Sequence, residues 1–201
     1  MEANKIIITG GATRIGAAIA RKLSGPKKEI LVHYNKSKSK AEALKKELEK
    51  NGTKIYLVRG DLSKETDVNK VVKFAKNIKG KNNNIINIID QRVFKLTPYF
   101  FSYTISKTGL YTLTKTSAMS LAPNIRVNGI APGPTIKNKR QSDKHFKKQY
   151  LATPLKRQVD VNEICNAVDF FIKNRSITGQ VLAIDSGQNL NWQTPDVIGK
   201  E

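Results

Sequence analysis

Three observations predict an α/β fold. Short apolar runs lack the alternation of a half-exposed strand, Lys5-Ile6-Ile7-Ile8-Thr9 being the first, so they read as strands buried on both faces. Apolar residues at helical spacing follow them. Glycine-rich or polar turns stand where strand gives way to helix, as at Gly10-Gly11 and Gly60-Asp61. Together they describe a Rossmann-type doubly wound parallel sheet with helices on both faces, in a single domain over residues 1–201. With 39% hydrophobic residues, a chain of this length supplies a sizeable core.

The first unit carries Gly10-Gly11-Ala12-Thr13-Arg14-Ile15-Gly16 directly after its strand, and Ile15, Ala18, Ile19 and Leu23 then recur at helical spacing. Strand, glycine turn and helix make an anion site, where free backbone N–H groups and the positive end of the helix dipole face a pyrophosphate. A plain turn is the alternative. The second strand, Glu29 to Tyr34, is followed by no acid; a carboxylate there would hydrogen-bond a ribose 2′-hydroxyl, whereas cations accommodate a 2′-phosphate. His33, Lys36 and Ser37 therefore favour NADPH over NADH, against the alternative of an ordinary basic loop. Ser39 to Asn51 reads as a helix with Ala41, Leu44 and Leu48 inward and Gly52 as its stop. Lys54 to Arg59 is the third strand, and Asp61, beside Leu62, either meets an adenine amino group or caps the next helix with Ser63. Val68, Val71, Val72, Ala75 and Ile78 mark that helix.

Ile85 to Asp90 reads as a buried strand ending in a carboxylate, followed by a helix that carries Tyr103 and Lys107 on one face. A tyrosine hydroxyl loses its proton near pH ~10, and a fixed ammonium nearby lowers that value. The pair then suits general-acid work near neutrality. Asp90 would lie at the carboxyl end of its strand, where open α/β sheets place their ligands. Taken alone, a Tyr and a Lys at this spacing also fit any solvated helix face.

The helix continues through Leu110, Leu113 and Leu121 to Pro123, and Ile125 to Ile130 is another buried strand. Ala131-Pro132-Gly133-Pro134-Thr135 forms a rigid loop whose backbone can approach a flat ring closely. Lys137 to Tyr150 is polar, and residues 136–158 read as a substrate lid, with His145 on the surface. Val161, Ile164, Cys165, Val168 and Ile172 form the last apolar stripe, making Cys165 a core thiol. Gln180 to Ile184 closes the sheet, and Asp185-Ser186-Gly187 turns the chain out.

Thirty-six Lys and Arg against sixteen Asp and Glu give a net charge of +20. The excess runs from Lys5 to Lys200 and is mostly lysine, which favours solvated faces over a nucleic-acid patch, since base recognition clusters Arg and aromatics. A single cysteine, no signal-peptide pattern and no membrane-length apolar run lead to the expectation of a cytoplasmic protein without membrane or metal partners.

With these motifs assembled, the chain resembles the short-chain dehydrogenase/reductase family. The carrying residues are Thr9 to Gly16, Asp61-Leu62, Tyr103-x-x-x-Lys107 and Pro132-Gly133. Within the family it is most similar to the pteridine reductases and their dihydromonapterin or dihydrofolate reductase relatives: Arg14 replaces a second glycine, His33 to Ser37 match the 2′-phosphate loop, and Asp90 replaces the usual serine. The resemblance implies hydride delivery from NADPH to a pterin C=N bond, Tyr103 as proton donor and Asp90 as its relay. Lys107 would hold the nicotinamide ribose and lower the tyrosine pKa. Arg14 would lie between pyrophosphate and pterin, with Asp90 and Tyr103 also facing substrate, and Thr135 with Pro132 and Gly133 would line the cofactor. A homo-oligomer is implied as well. Keto-group reduction within the same family, and an inactive nucleotide-binding or basic nucleic-acid-binding remnant, are the alternatives.

One departure stands out. Between Lys79 and Ile85 the family has another strand, an Asn-Asn-Ala-Gly or Asn-Asn-Ala-Ser motif and a long helix, roughly 45 residues or one βα element with its connections. Here there is only Gly80-Lys81-Asn82-Asn83-Asn84. The absent unit would have supplied the asparagine of the family's catalytic tetrad, an aromatic that stacks on the pterin and a helix of the dimer interface. The lost strand is the neighbour of strand one, so either the Ile85 strand closes the gap, about 4.8 Å sideways, or the sheet is open. Impaired turnover is the expectation, because hydride transfer tolerates misplacement of only about 1 Å.

Overall fold

The computed structural model describes residues 4–76, 83–139 and 141–192, with side-chain placement from Lys5 and, in the third helix, up to Lys73. Ile78 and the short stretch before Asn83 lie outside these, as does Ala75 for its side chain. The described residues form two compact units, one of those up to Asn83 with Val168–Phe170, the other of the remainder.

In the first unit β1 (Asn4–Ile8), β2 (Lys28–Tyr34) and β3 (Lys54–Arg59) form a parallel sheet in that order. Ile6 pairs with Ile30, and Ile30 with Ile55. The intervening helices are α1 (Arg14–Leu23), α2 (Lys38–Glu49) and α3 (Glu65–Lys76). Arg21 and Lys22 end α1, and Glu65 and Asp67 open α3, each suited to the helix dipole. Ile30, Leu31 and Val32 of the central strand are fully buried, and Ala41, Leu44 and Leu48 of α2 are buried as their spacing requires. β1 departs from expectation. It is an edge strand, and Ile7 is 40% exposed, because one flank has no strand in its sheet.

The second unit holds β4 (Asn83–Ile88), α4 (Phe101–Leu121), β5 (Ile125–Pro132), α5 (Asp143–Leu151), α6 (Val161–Lys173) and β6 (Val181–Ile184). Its sheet runs β4-β5-β6, with β5 and β6 parallel. Val127, Ile130 and Ala131 of β5 are buried, as are Ile164 and Cys165 of α6, the latter confirming a core thiol. β4 is also an edge strand and also less buried than its sequence predicts, with Ile85 41% exposed. The stretch 136–158 contains α5, whose N-terminus Ser142 caps by accepting from the His145 N–H at 3.1 Å. His145 is exposed as expected, while Phe146 is buried against Tyr150.

Among the described residues no helix is long and apolar enough to cross a membrane, and no cluster of His, Cys, Asp and Glu could hold a metal ion.

Candidate active site

In the second unit, β4 delivers Asp90 to the start of a short 3₁₀ turn, Gln91–Val93, and α4 follows within a few residues. Asp90 Oδ1 accepts from the Arg92 N–H at 2.9 Å, which fixes the carboxylate. Its Oδ2 accepts from the Tyr103 hydroxyl at 2.7 Å, a short charge-assisted bond. Lys107, one helical turn on, places its Nζ 5.9 Å from the Tyr103 ring centroid and donates to the Ile88 carbonyl at 3.0 Å. Carboxylate, phenol and ammonium thus converge at the carboxyl end of β4.

The electrostatics reverse one expectation. Burial pushes the Tyr103 hydroxyl well above its ordinary value, and the hydrogen bond to Asp90 and the charge of Asp90 push it further, with Arg92 opposing. Lys107 is not among the causes. Its own pKa is lowered by burial, and Asp90 pulls it back up. A phenol that gives its proton to a carboxylate beside it is penalised twice for ionising, since two negative charges would then face each other. Burial first, and the Asp90 carboxylate second, favour the protonated form of Tyr103. It remains 43% exposed, open to a reacting group.

Arg92 carried no signal in the sequence beyond its place two residues after Asp90. Its guanidinium donates to Thr97 Oγ1 at 3.0 Å and lies 5.0 Å from the Phe100 ring centroid, a stacked position beside the acid pair.

The loop after β5 is tightly packed. A Cβ on Gly133 would come within 2.6 Å of Asp185 Cα, so only glycine fits, and the Gly133 N–H donates to the Ile184 carbonyl at 2.9 Å. Thr135 is buried with its hydroxyl donating to the Gly133 carbonyl at 3.1 Å, and Gln158 Nε2 donates to the Thr135 carbonyl at 2.6 Å. Pro132 ends β5 beside them.

In the first unit, the glycine loop makes a tight turn between β1 and α1. Gly10 adopts a left-handed φ of +63°, and a Cβ on Gly16 would sit 2.4 Å from the Gly10 carbonyl oxygen. The Thr13 side chain makes no cap hydrogen bond at the N-terminus of α1. Arg14 is exposed with φ +53°, which explains why glycine is the easier residue there and why a cation in its place carries strain.

His33 departs from its expected role. It is 4% exposed; its Nδ1 accepts from the Gly10 N–H at 3.2 Å and its Nε2 lies 3.0 Å from the Gly60 carbonyl. Both ring nitrogens are occupied by backbone, so the imidazole is not available to a 2′-phosphate. Lys36 is exposed beside it in the chain, and Ser37 opens α2 without capping it through its hydroxyl. Asp61 closes a turn just before α3 rather than capping the helix itself: its Oδ1 accepts from the Ser63 N–H at 3.1 Å and the Ser63 hydroxyl at 2.8 Å, and the hydroxyl above all lowers its pKa. Leu62 is 43% exposed.

Parallel strands alternating with helices give the chain the α/β architecture of the dinucleotide-binding class. Family models make the class specific: that for short chain dehydrogenase matches residues 4–81, and that for enoyl-(acyl carrier protein) reductase matches residues 74–189. The chain belongs to the short-chain dehydrogenase/reductase family, a family of oxidoreductases. It is similar to the crystal structure of FolM alternative dihydrofolate reductase 1 from Brucella canis complexed with NADP, with a TM-score of 0.90 and 36% identity over 96% of this chain and 97% of that one. It is 29% identical to the dihydromonapterin reductase of Klebsiella pneumoniae over 107 residues, 53% of this chain and 45% of that protein. It is also 25% identical to the 3-oxoacyl-[acyl-carrier-protein] reductase FabG of Staphylococcus epidermidis over 236 aligned positions, 90% of this chain and 97% of that protein.

Proposed function

We propose that this chain is an NADPH-dependent reductase of a pteridine or dihydrofolate-type C=N bond. The observation that carries the reading is the Tyr103 hydroxyl held on Asp90 at 2.7 Å, because an imine nitrogen must be protonated as its carbon is reduced. The likeness to a FolM dihydrofolate reductase bound to NADP and to a dihydromonapterin reductase supports the substrate and cofactor.

When bound, NADPH supplies the hydride. Tyr103 would give its proton to the substrate nitrogen, and a proton taken up from solvent, passed along the Asp90 carboxylate, would restore the phenol. Lys107 offsets the negative charge that develops on the pair. Arg14 and the α1 N-terminus hold the pyrophosphate, Lys36 and Ser37 the 2′-phosphate, and Pro132, Gly133 and Thr135 the nicotinamide end. In the second unit, Asp90 and Tyr103 face the pterin.

We further propose that turnover is impaired. The FabG alignment spans 236 positions but takes in 90% of 201 residues, about 181, so about 55 positions of that relative have no counterpart here. Such a loss fits the expected absence of a βα unit between Lys79 and Ile85. A homo-oligomer is part of the same reading, supported by exposed apolar side chains along α4, among them Phe101, Ile105, Leu113 and Met119.

The test is an NADPH titration of the purified chain followed by dihydropteridine and dihydrofolate in the same sample. Binding with slow oxidation of NADPH on pterin addition is expected. Turnover of a 3-oxoacyl substrate alone would establish keto-group reduction instead, the second reading that the FabG match favours.

A further inference from the structure

His33 is a buried histidine whose partners dictate its chemistry. The Gly10 N–H can only donate and the Gly60 carbonyl can only accept, so Nδ1 must be bare and Nε2 must carry the proton. The same residue's backbone carbonyl accepts from the Gly11 N–H at 3.1 Å, and its neighbour Tyr34 accepts from the Gly60 N–H at 3.1 Å. The end of β2 is thereby tied to the glycine loop after β1 and to the loop after β3. Gly10 sits at a left-handed φ, and its carbonyl closes against Gly16, so the clip fixes the residue from which the α1 N-terminus takes its direction.

Resting on the cofactor reading above, we propose that His33 is a positioning residue: its neutral, Nε2-protonated imidazole holds the glycine loop and the Gly60 loop in register for the dinucleotide, without touching the 2′-phosphate. It therefore sets affinity for NADPH and NADH alike, while the choice between them rests with Lys36 and Ser37. Replacing His33 with an apolar residue leaves the part-buried Gly10 N–H and the buried Gly60 carbonyl without these partners. His33→Asn keeps an acceptor at the Nδ1 position and so restores the bond to Gly10.

The experiment titrates NADPH and NADH into the wild-type chain, His33→Leu and His33→Asn, with thermal melting of each free protein to establish folding, and reads the imidazole nitrogen shifts of His33 by NMR. His33→Leu should weaken both nucleotides by the same factor, about tenfold. His33→Asn should recover most of the loss, and the nitrogen shifts should show a bare Nδ1 and a protonated Nε2. Selective loss of NADPH would overturn the proposal by revealing a direct phosphate contact. So would unchanged affinity in a folded His33→Leu chain, an Asn variant as weak as the Leu variant, or an imidazolium. Should the wild-type chain bind neither nucleotide while showing the expected tautomer, the cofactor reading itself fails and takes the affinity role with it, leaving only the clip.

Discussion

The carboxyl ends of β2 and β4 each present a titratable side chain, and the two have opposite fates. His33 is sealed, with a backbone partner on each ring nitrogen. Asp90 spends one oxygen on the Arg92 backbone and gives the other to a tyrosine hydroxyl that is 43% exposed. Position at a strand end is therefore no guide to chemistry by itself. What separates the two is whether main chain or a solvent-facing side chain supplies the partner, since a group saturated by buried backbone has nothing left to exchange with a substrate.

The strongest way to break this contrast is Tyr103→Phe. It should lower any imine-reducing rate by about 10²- to 10⁴-fold in steady-state assays while leaving NADPH affinity unchanged. An unaltered rate would remove Tyr103 from the chemistry. The same variant has a stability signature. The folded chain keeps the Tyr103 proton at pH values where the unfolded chain loses it, so stability falls as pH rises past the ordinary phenol value of about 10. Tyr103→Phe should flatten that alkaline decline in denaturant titrations.

Asp90→Asn comes next. It preserves an acceptor for the phenol but removes the charge, so the rate should drop on the order of 10- to 100-fold. The phenolate absorbance of Tyr103 should then appear at lower pH than in the wild type, since the carboxylate no longer opposes ionisation. A Tyr103 titration left in place would show that burial alone holds the proton.

Lys36→Ala sharpens the His33 side. It should weaken NADPH about tenfold relative to NADH in parallel titrations, the selective loss that a phosphate ligand produces. An equal loss for both nucleotides would place the phosphate elsewhere. Gly133→Ala drives a Cβ into the Asp185 backbone and should cost about 1–3 kcal/mol in chemical denaturation. The smallest effect belongs to the exposed bidentate pair of Arg21 with Glu47 at 2.7 and 2.8 Å, where Arg21→Ala should change stability by about 0–1 kcal/mol.

Much of the chain was legible in its sequence. The order of strands and helices followed from apolar periodicity, the glycine loop from its place between strand and helix, and the meeting of Asp90 with Tyr103 from a strand end followed by a helix. These are local matters, determined by spacing along a few turns of chain. Three features were decided only by tertiary structure. β1 and β4 read as buried on both faces, yet each lies at an edge of its sheet, and which flank is covered depends on strands distant in sequence. The pKa of Tyr103 moves upward, making it a weaker acid, because of burial and a carboxylate thirteen residues away. His33, among cations that suit a phosphate, is claimed instead by Gly10 and Gly60, more than twenty residues to either side. Sequence spacing sets which residues can share a face; desolvation and the saturation of hydrogen bonds are properties of the packed environment, and only the folded chain sets those.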